Sequence, residues 1–144
     1  MKNVRRGMVI FFVVIVSLYI QTVSETAEYE GVKVTQIKKA TTASNGQALQ
    51  YLKTDKPEVT VLMVEIPPGG ETGWHIHPVP VYAYMLFGAI TVELEGTEKY
   101  DFKEGDAIFE TMNTRHNGKN TGTVPAKLLV FYTGEQGSPN TVKK

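Results

Sequence analysis

Cysteine is absent from the 144-residue chain. That excludes disulfides, thiolate metal sites and thiol nucleophiles. Charge of one sign is not in excess either, since 15 Lys and Arg balance 15 Asp and Glu. A nucleic-acid-binding domain normally carries a large positive surplus, so no nucleic-acid partner is expected. No run of five like charges occurs, hence no basic arm or acidic tail. The serines, at positions 17, 24, 44 and 138, stand away from every histidine, which leaves a serine triad without support. Gly69-Gly70 closes a turn and lacks the strand–loop–helix setting of a phosphate cradle. A sustained 3.6-residue period is missing after residue 24, and 13 Gly with 7 Pro are too many for a helical domain. The length suits one ordinary domain.

Residues 1–24 read differently from the rest. Lys2, Arg5 and Arg6 precede an apolar stretch of about 13 residues, from Met8 to Ile20. At ~1.5 Å per residue such a stretch spans about 20 Å, short of a ~30 Å hydrocarbon core. With small residues at Thr22 and Ser24, the pattern predicts a signal peptide cleaved after Ser24. The alternative is an uncleaved membrane anchor through residues 8–23. Arg5-Arg6 suggests a twin-arginine signal, but Gly7-Met8-Val9 fits that pattern poorly, so ordinary secretion is expected. Either way the remainder, residues 25–144, is expected outside the cytoplasm, periplasmic or secreted. It holds 12 basic against 15 acidic residues.

That remainder reads as a string of short strands. Val59–Ile66 is β-branched and long enough for a buried strand. Tyr82–Phe87, Ala89–Leu94, Lys99–Phe102, Ala107–Phe109 and Lys127–Tyr132 follow, separated by Gly, Pro and Asp turns. Val32–Lys39 is a candidate edge strand and Leu49–Leu52 a short one. Strands of this length at this spacing predict an all-β sandwich or barrel.

Only three histidines occur, His75, His77 and His116. On a strand, residues i and i+2 face the same way, so His75 and His77 can converge on one ion. Their surroundings sharpen the reading. Pro68-Gly69-x5-His75-Ile76-His77-Pro78-x9-Gly88 resembles the first conserved motif of the cupin superfamily, and Gly105-Asp106-x9-His116-x3-Asn120 resembles the second. A single predicted hairpin separates them. The resemblance, to small single-domain cupins, covers about residues 59–137.

The resemblance implies a double-stranded β-helix, or jelly-roll barrel, whose ligands project inward. It implies that His75, His77 and His116 hold a divalent metal, with Fe, Zn, Mn, Ni and Cu all open. Gly88 and Gly105 match strand-turning glycines, and Asn120 a structural asparagine. Two positions depart from the pattern. The usual motif-one glutamate falls at Val81, which binds no metal. The motif-two Pro-x-Gly falls at Thr111-Met112-Asn113, where Asn113 can supply the left-handed conformation. Glu110 is a candidate substitute ligand or outer partner, and Glu71 a weaker one. Trp74, Tyr82 and Tyr84 flank the site as pocket candidates, with packing or a dimer face as the other role.

The expected function is an exported metal-binding cupin acting on a small organic molecule, of dioxygenase, isomerase or lyase type. A non-catalytic binder or sensor, and a structural cupin with a decayed site, are the alternatives. A homodimer is expected, because an edge strand such as Val32–Lys39 invites pairing.

Overall fold

The computed structural model describes residues 30–96 and 98–143. The expected signal segment, residues 1–24, and most of the arm after it lie outside the described residues. Residues 30–34 form an exposed turn and coil. The unit from Thr35 to Lys144 holds every strand among the described residues, and no helix occurs there.

Nine strands follow one another: β1 (Pro57–Ile66), β2 (His75–Ile76), β3 (Val81–Phe87), β4 (Ala89–Leu94), β5 (Lys99–Lys103), β6 (Ala107–Phe109), β7 (His116–Lys119), β8 (Ala126–Glu135) and β9 (Val142–Lys143). They form two antiparallel sheets. One runs β1-β8-β3-β6, the other β5-β4-β7-β2-β9. Period-two alternation decides what each sheet turns inward. From β3 come Val81, Ala83 and Met85; from β8, Ala126, Leu128, Val130 and Tyr132; from β4, Ile90. These side chains form the core between the sheets.

Two turn residues show why the strands stop where they do. Gly88 has φ +75°, and a Cβ there would sit 2.6 Å from the Pro125 carbonyl oxygen. Only glycine fits both the dihedral and the space. Asn113 adopts φ 54°, so asparagine does take the left-handed position of the motif-two turn. Asn120 is fully buried and ties three segments together. Its Nδ2 donates to the carbonyls of Ile66 and Val124, both at 2.8 Å, and its Oδ1 accepts from Gly122 N–H at 2.9 Å.

Three expectations need correction. Val32–Lys39 forms no strand and stays exposed, because no neighbouring strand offers it a ladder. Leu49–Leu52 is not a strand either; residues 42 and 48 make one isolated bridge. Val59–Ile66 is a strand, but not a buried one. β1 lies at a sheet edge, and only Ile66 of its ten residues is fully buried.

The register of the four-stranded sheet has a further consequence. Val61 pairs with Phe131, Phe131 with Tyr82, and Tyr82 with Phe109. Directly opposite residues share a face. This row therefore crosses all four strands on the side turned away from the core.

Candidate metal centre

The histidines come from elements that the ladder forces together. His75 on β2 is the direct partner of His116 on β7. His77 lies two residues on, where the chain makes a parallel bridge to Met112. All three rings are buried, with centroids 4.4–4.9 Å apart. One nitrogen from each lies within 4.8 Å of the others.

Backbone carbonyls fix the tautomers. His75 Nδ1 is 2.6 Å from Gly73 O, His77 Nδ1 is 2.9 Å from Asn140 O, and His116 Nδ1 is 2.8 Å from Thr114 O. A carbonyl can only accept, so each Nδ1 carries the proton. Each Nε2 is left with a free lone pair, and these point at one another. His75 Nε2 and His77 Nε2 are 3.2 Å apart, and the lone pair of the buried His116 Nε2 meets no donor. Three lone pairs aimed at a common point are unfavourable unless a cation sits between them. Outer carbonyl partners of this kind are what orients metal-binding histidines.

Glu110 completes the cluster. Its Oε2 lies 3.2 Å from His77 Nε2 and 3.3 Å from His116 Nε2. Atoms bound to one ion at ~2.1 Å stand about 3.0–3.4 Å apart at octahedral or tetrahedral angles, so these spacings fit a shared ion. The carboxylate arrives by a short route. Tyr82 pairs with Phe109, which sets Val81 opposite Glu110, and Glu110 N–H donates to Val81 O at 3.0 Å. Opposite residues project to the same side. A carboxylate therefore stands at the position facing Val81 on the neighbouring strand. Thr111-Met112-Asn113, with its left-handed Asn113, then turns the chain back toward His116.

Without a metal, a proton meets the same need: an imidazolium Nε2–H of His77 or His116 then donates to the Glu110 carboxylate. Burial pushes the Glu110 carboxyl up, but hydrogen bonds with His116 and His77 and their charge outweigh it and hold it at about 2. Burial pushes His116 down, yet the bond to Glu110 and the Thr114 carbonyl leave it raised. Burial lowers His75, with the other two imidazoles adding to the effect. His75 is therefore a neutral ligand at pH 7.

Beside the cluster lies a cavity of about 70 Å³. Its walls are mostly apolar, including Val64, Ile66, Ile90, Val92, Leu128 and Val130. Thr72 and Tyr132 are its polar members apart from the cluster itself. Tyr132 was not singled out from the sequence. Its ring stands edge-on to His77 at 5.5 Å, and its hydroxyl bonds to Thr141. The alternation Ala126, Leu128, Val130, Tyr132 was the available signal for that inward placement.

The pocket candidates fare differently. Tyr82 and Tyr84 alternate with the inward Val81, Ala83 and Met85, so they face away from this cavity. Trp74 points outward, 5.2 Å from the Arg115 guanidinium, because the residues preceding His75 and His116 share the opposite face of their strands. Glu71 accepts from Asn117 Nδ2 at 3.0 Å and lies outside the metal-type cluster.

Residues 62–132 match the cupin domain family, spanning both histidine motifs. The chain belongs to the cupin superfamily. Among curated proteins, this cupin is 33% identical over 67 residues to the tetracenomycin polyketide synthase protein TcmJ of Streptomyces glaucescens, covering 46% of this chain and 44% of that one. Among solved structures it is similar to BH2720 of Bacillus halodurans, with TM-score 0.51, 26% identity, and 59% and 69% of the two chains covered. It is also similar to the DMSP lyase DddQ of Ruegeria pomeroyi, with TM-score 0.52, 23% identity, and 60% and 43% covered. The second likeness concerns the fold alone. The chain spans less than half the length of TcmJ and of DddQ.

Proposed function

We propose that this cupin holds one divalent metal through His75, His77, His116 and Glu110, and that it acts as an enzyme on a small organic molecule. The observation that carries the reading is the set of three Nδ1-anchored imidazoles whose Nε2 lone pairs meet beside a carboxylate. A metal bound there would act as a Lewis acid on substrate oxygens, and Fe, Zn, Mn, Ni and Cu all suit imidazole and carboxylate donors. The chain's own residues do the rest. Three neutral imidazoles and one carboxylate leave a single positive charge. The apolar walls offer no cation or anion to adjust it. A substrate binding through two oxygens with one negative charge, such as the enolate of a small diketone, balances the site. Val64, Ile66, Ile90 and Val92 exclude water, which strengthens every electrostatic contact inside. The likeness to a polyketide synthase protein supports a carbonyl-bearing substrate, and the cavity limits how much of it enters. Reaction by oxygenation, isomerisation or elimination all fit this arrangement.

A decayed structural site is disfavoured by Glu110, since the lost carboxylate has a replacement in reach. We place the protein outside the cytoplasm, with residues 1–24 as a cleaved signal peptide. The charged start, short apolar run and small residues before Glu25 support that reading, and N-terminal sequencing of exported protein tests it.

The functional test has two stages. Elemental analysis of purified protein should find about one metal per chain, lost in His75→Ala and His116→Ala. Loaded protein is then assayed against small diketones, phenolics and thiols with and without oxygen. Turnover of one class that disappears in His116→Ala supports an enzyme. Metal binding with no turnover across the panel contradicts the enzyme reading and leaves a binder.

A further inference from the structure

β6 and the turn after it carry Glu110 to the cluster, and β6 is the outermost strand of its sheet. An outermost strand presents a row of backbone groups with no ladder partner. Here a segment from before β1 meets them. Lys38 Nζ donates to Ala107 O at 3.0 Å and stands 4.8 Å from the centre of the Phe109 ring. Ser44 donates twice to Phe109 O, from its N–H at 3.0 Å and from Oγ at 3.1 Å. The Gln47 amide meets both backbone groups of Met112. Its Oε1 accepts from Met112 N–H at 2.8 Å, and its Nε2 donates to Met112 O at 3.1 Å. One side chain thus stands in for a neighbouring strand.

The loop that presents Gln47 is ordered by its own bonds. Ala43 N–H donates to Gln47 O at 2.8 Å, Gly46 N–H to Ala43 O at 3.0 Å, and Gln47 N–H to Asn45 Oδ1 at 3.0 Å. Gly46 turns it at φ +82°, and Ala43 is buried beneath. A side chain on a loop fixed in this way loses less entropy when it bonds. The turn that it holds lacks rigidity of its own. Thr111-Met112-Asn113 contains no proline to set the backbone, and Asn113 sits at φ 54°, where residues other than glycine are strained. The two held points, Phe109 and Met112, lie on either side of Glu110-Thr111. Residues 41–49 precede the stretch that matches the cupin domain family, residues 62–132.

We propose, on the reading of Glu110 as a ligand, that Gln47 is a positioning residue of the metal centre. With Ser44 it fixes the backbone on both sides of Glu110 and so aims the carboxylate at the imidazoles. Without the amide, Met112 N–H loses its partner, while Met112 O keeps Thr114 Oγ1 at 3.3 Å. The turn then relaxes, and Glu110 Oε2 is no longer held 3.2 and 3.3 Å from the Nε2 atoms of His77 and His116. Those two rings keep anchors of their own, the carbonyls of Asn140 and Thr114. The loss therefore falls on the carboxylate.

Competition between the full chain and a chelator for zinc at pH 7 tests this. Gln47→Ala should weaken zinc binding by about tenfold, the scale of a lost outer partner, with an unchanged circular dichroism spectrum. Gln47→Met keeps the length of the side chain without the amide, should do the same, and serves if Gln47→Ala does not fold. In a Glu110→Gln background either substitution should change the affinity by less than about twofold, because no carboxylate is left to aim. A loop that merely supports the fold would weaken binding equally in both backgrounds, and that result would overturn the proposal. So would Gln47→Ala and Gln47→Met that bind zinc as the wild type does while Glu110→Gln binds it weakly. Wild-type zinc affinity in Glu110→Gln alone would overturn the ligand assignment, and the role of Gln47 with it.

Discussion

Replacing Glu110 by Gln keeps the shape of the side chain and removes its charge. The neighbouring imidazoles report how strongly the site favours a carboxylate. Against the effect of burial, they hold its carboxyl at about 2, when the ordinary value is 4.5. At ~1.4 kcal/mol per pH unit, that is about 3 kcal/mol. A divalent ion among the same imidazoles takes the place of the positive charge that a proton supplies there. Taking about 3 kcal/mol as the scale of the effect, at ~1.4 kcal/mol per tenfold the metal affinity should fall by roughly 100-fold. Competition against a chromogenic chelator at pH 7 measures it. The facing positions allow a stricter check. Val81→Glu combined with Glu110→Gln returns a carboxylate from the opposite strand and should recover at least tenfold of the loss. Glu110→Gln binding metal within threefold of the wild type would refute the ligand assignment, and a well-folded double variant with no recovery would refute the cross-strand argument.

Further outcomes follow from other contacts. The stability difference between the metal-free wild type and Glu110→Gln should be largest near pH 6, up to about 3 kcal/mol. A carboxyl with a depressed folded value contributes fully above its unfolded value, so the difference should shrink as pH falls from 4.5 through about 2. Urea titrations at pH 6 and pH 3 check this. Gly88→Ala puts a Cβ 2.6 Å from Pro125 O at φ +75°. It should cost at least about 2 kcal/mol, read as a fall in Tm of several degrees or more. Asn120→Ala strands two carbonyls and one N–H in the interior. It should cost about 2–4 kcal/mol by urea denaturation, with metal stoichiometry kept.

Much of the fold was legible because alternation and turn chemistry agreed. β3, β4, β5, β6 and β8 are β-branched or aromatic runs ended by glycine or charged turns, and each formed. β7 was not legible as a strand. His116-Asn117-Gly118-Lys119 has no large apolar residue to mark it, and it forms through its ladders to β4 and β2. Val32–Lys39 and Leu49–Leu52 have some strand character but no partner in one chain. His-x-His alone was weak; the grouping of the three histidines was legible through the two cupin-like motifs around them. Glu110 was legible only as a candidate, because a strand-end residue can face either way until the register puts it opposite Val81. Tyr82 and Tyr84 misled for a related reason: aromatic residues near a histidine motif suggest a pocket, while a one-residue offset turns them to the outer face. The burial of β1 was misjudged because a β-branched run suits an edge strand as well as a central one.

The central claim is that His75, His77, His116 and Glu110 surround one ion. Anomalous scattering from crystals of metal-loaded protein, recorded at the metal's absorption edge, tests it directly. One strong peak per chain is expected, about 2.0–2.3 Å from the three Nε2 atoms and a Glu110 oxygen. A fully loaded crystal whose peaks lie among surface carboxylates, with none between the imidazoles, would contradict it.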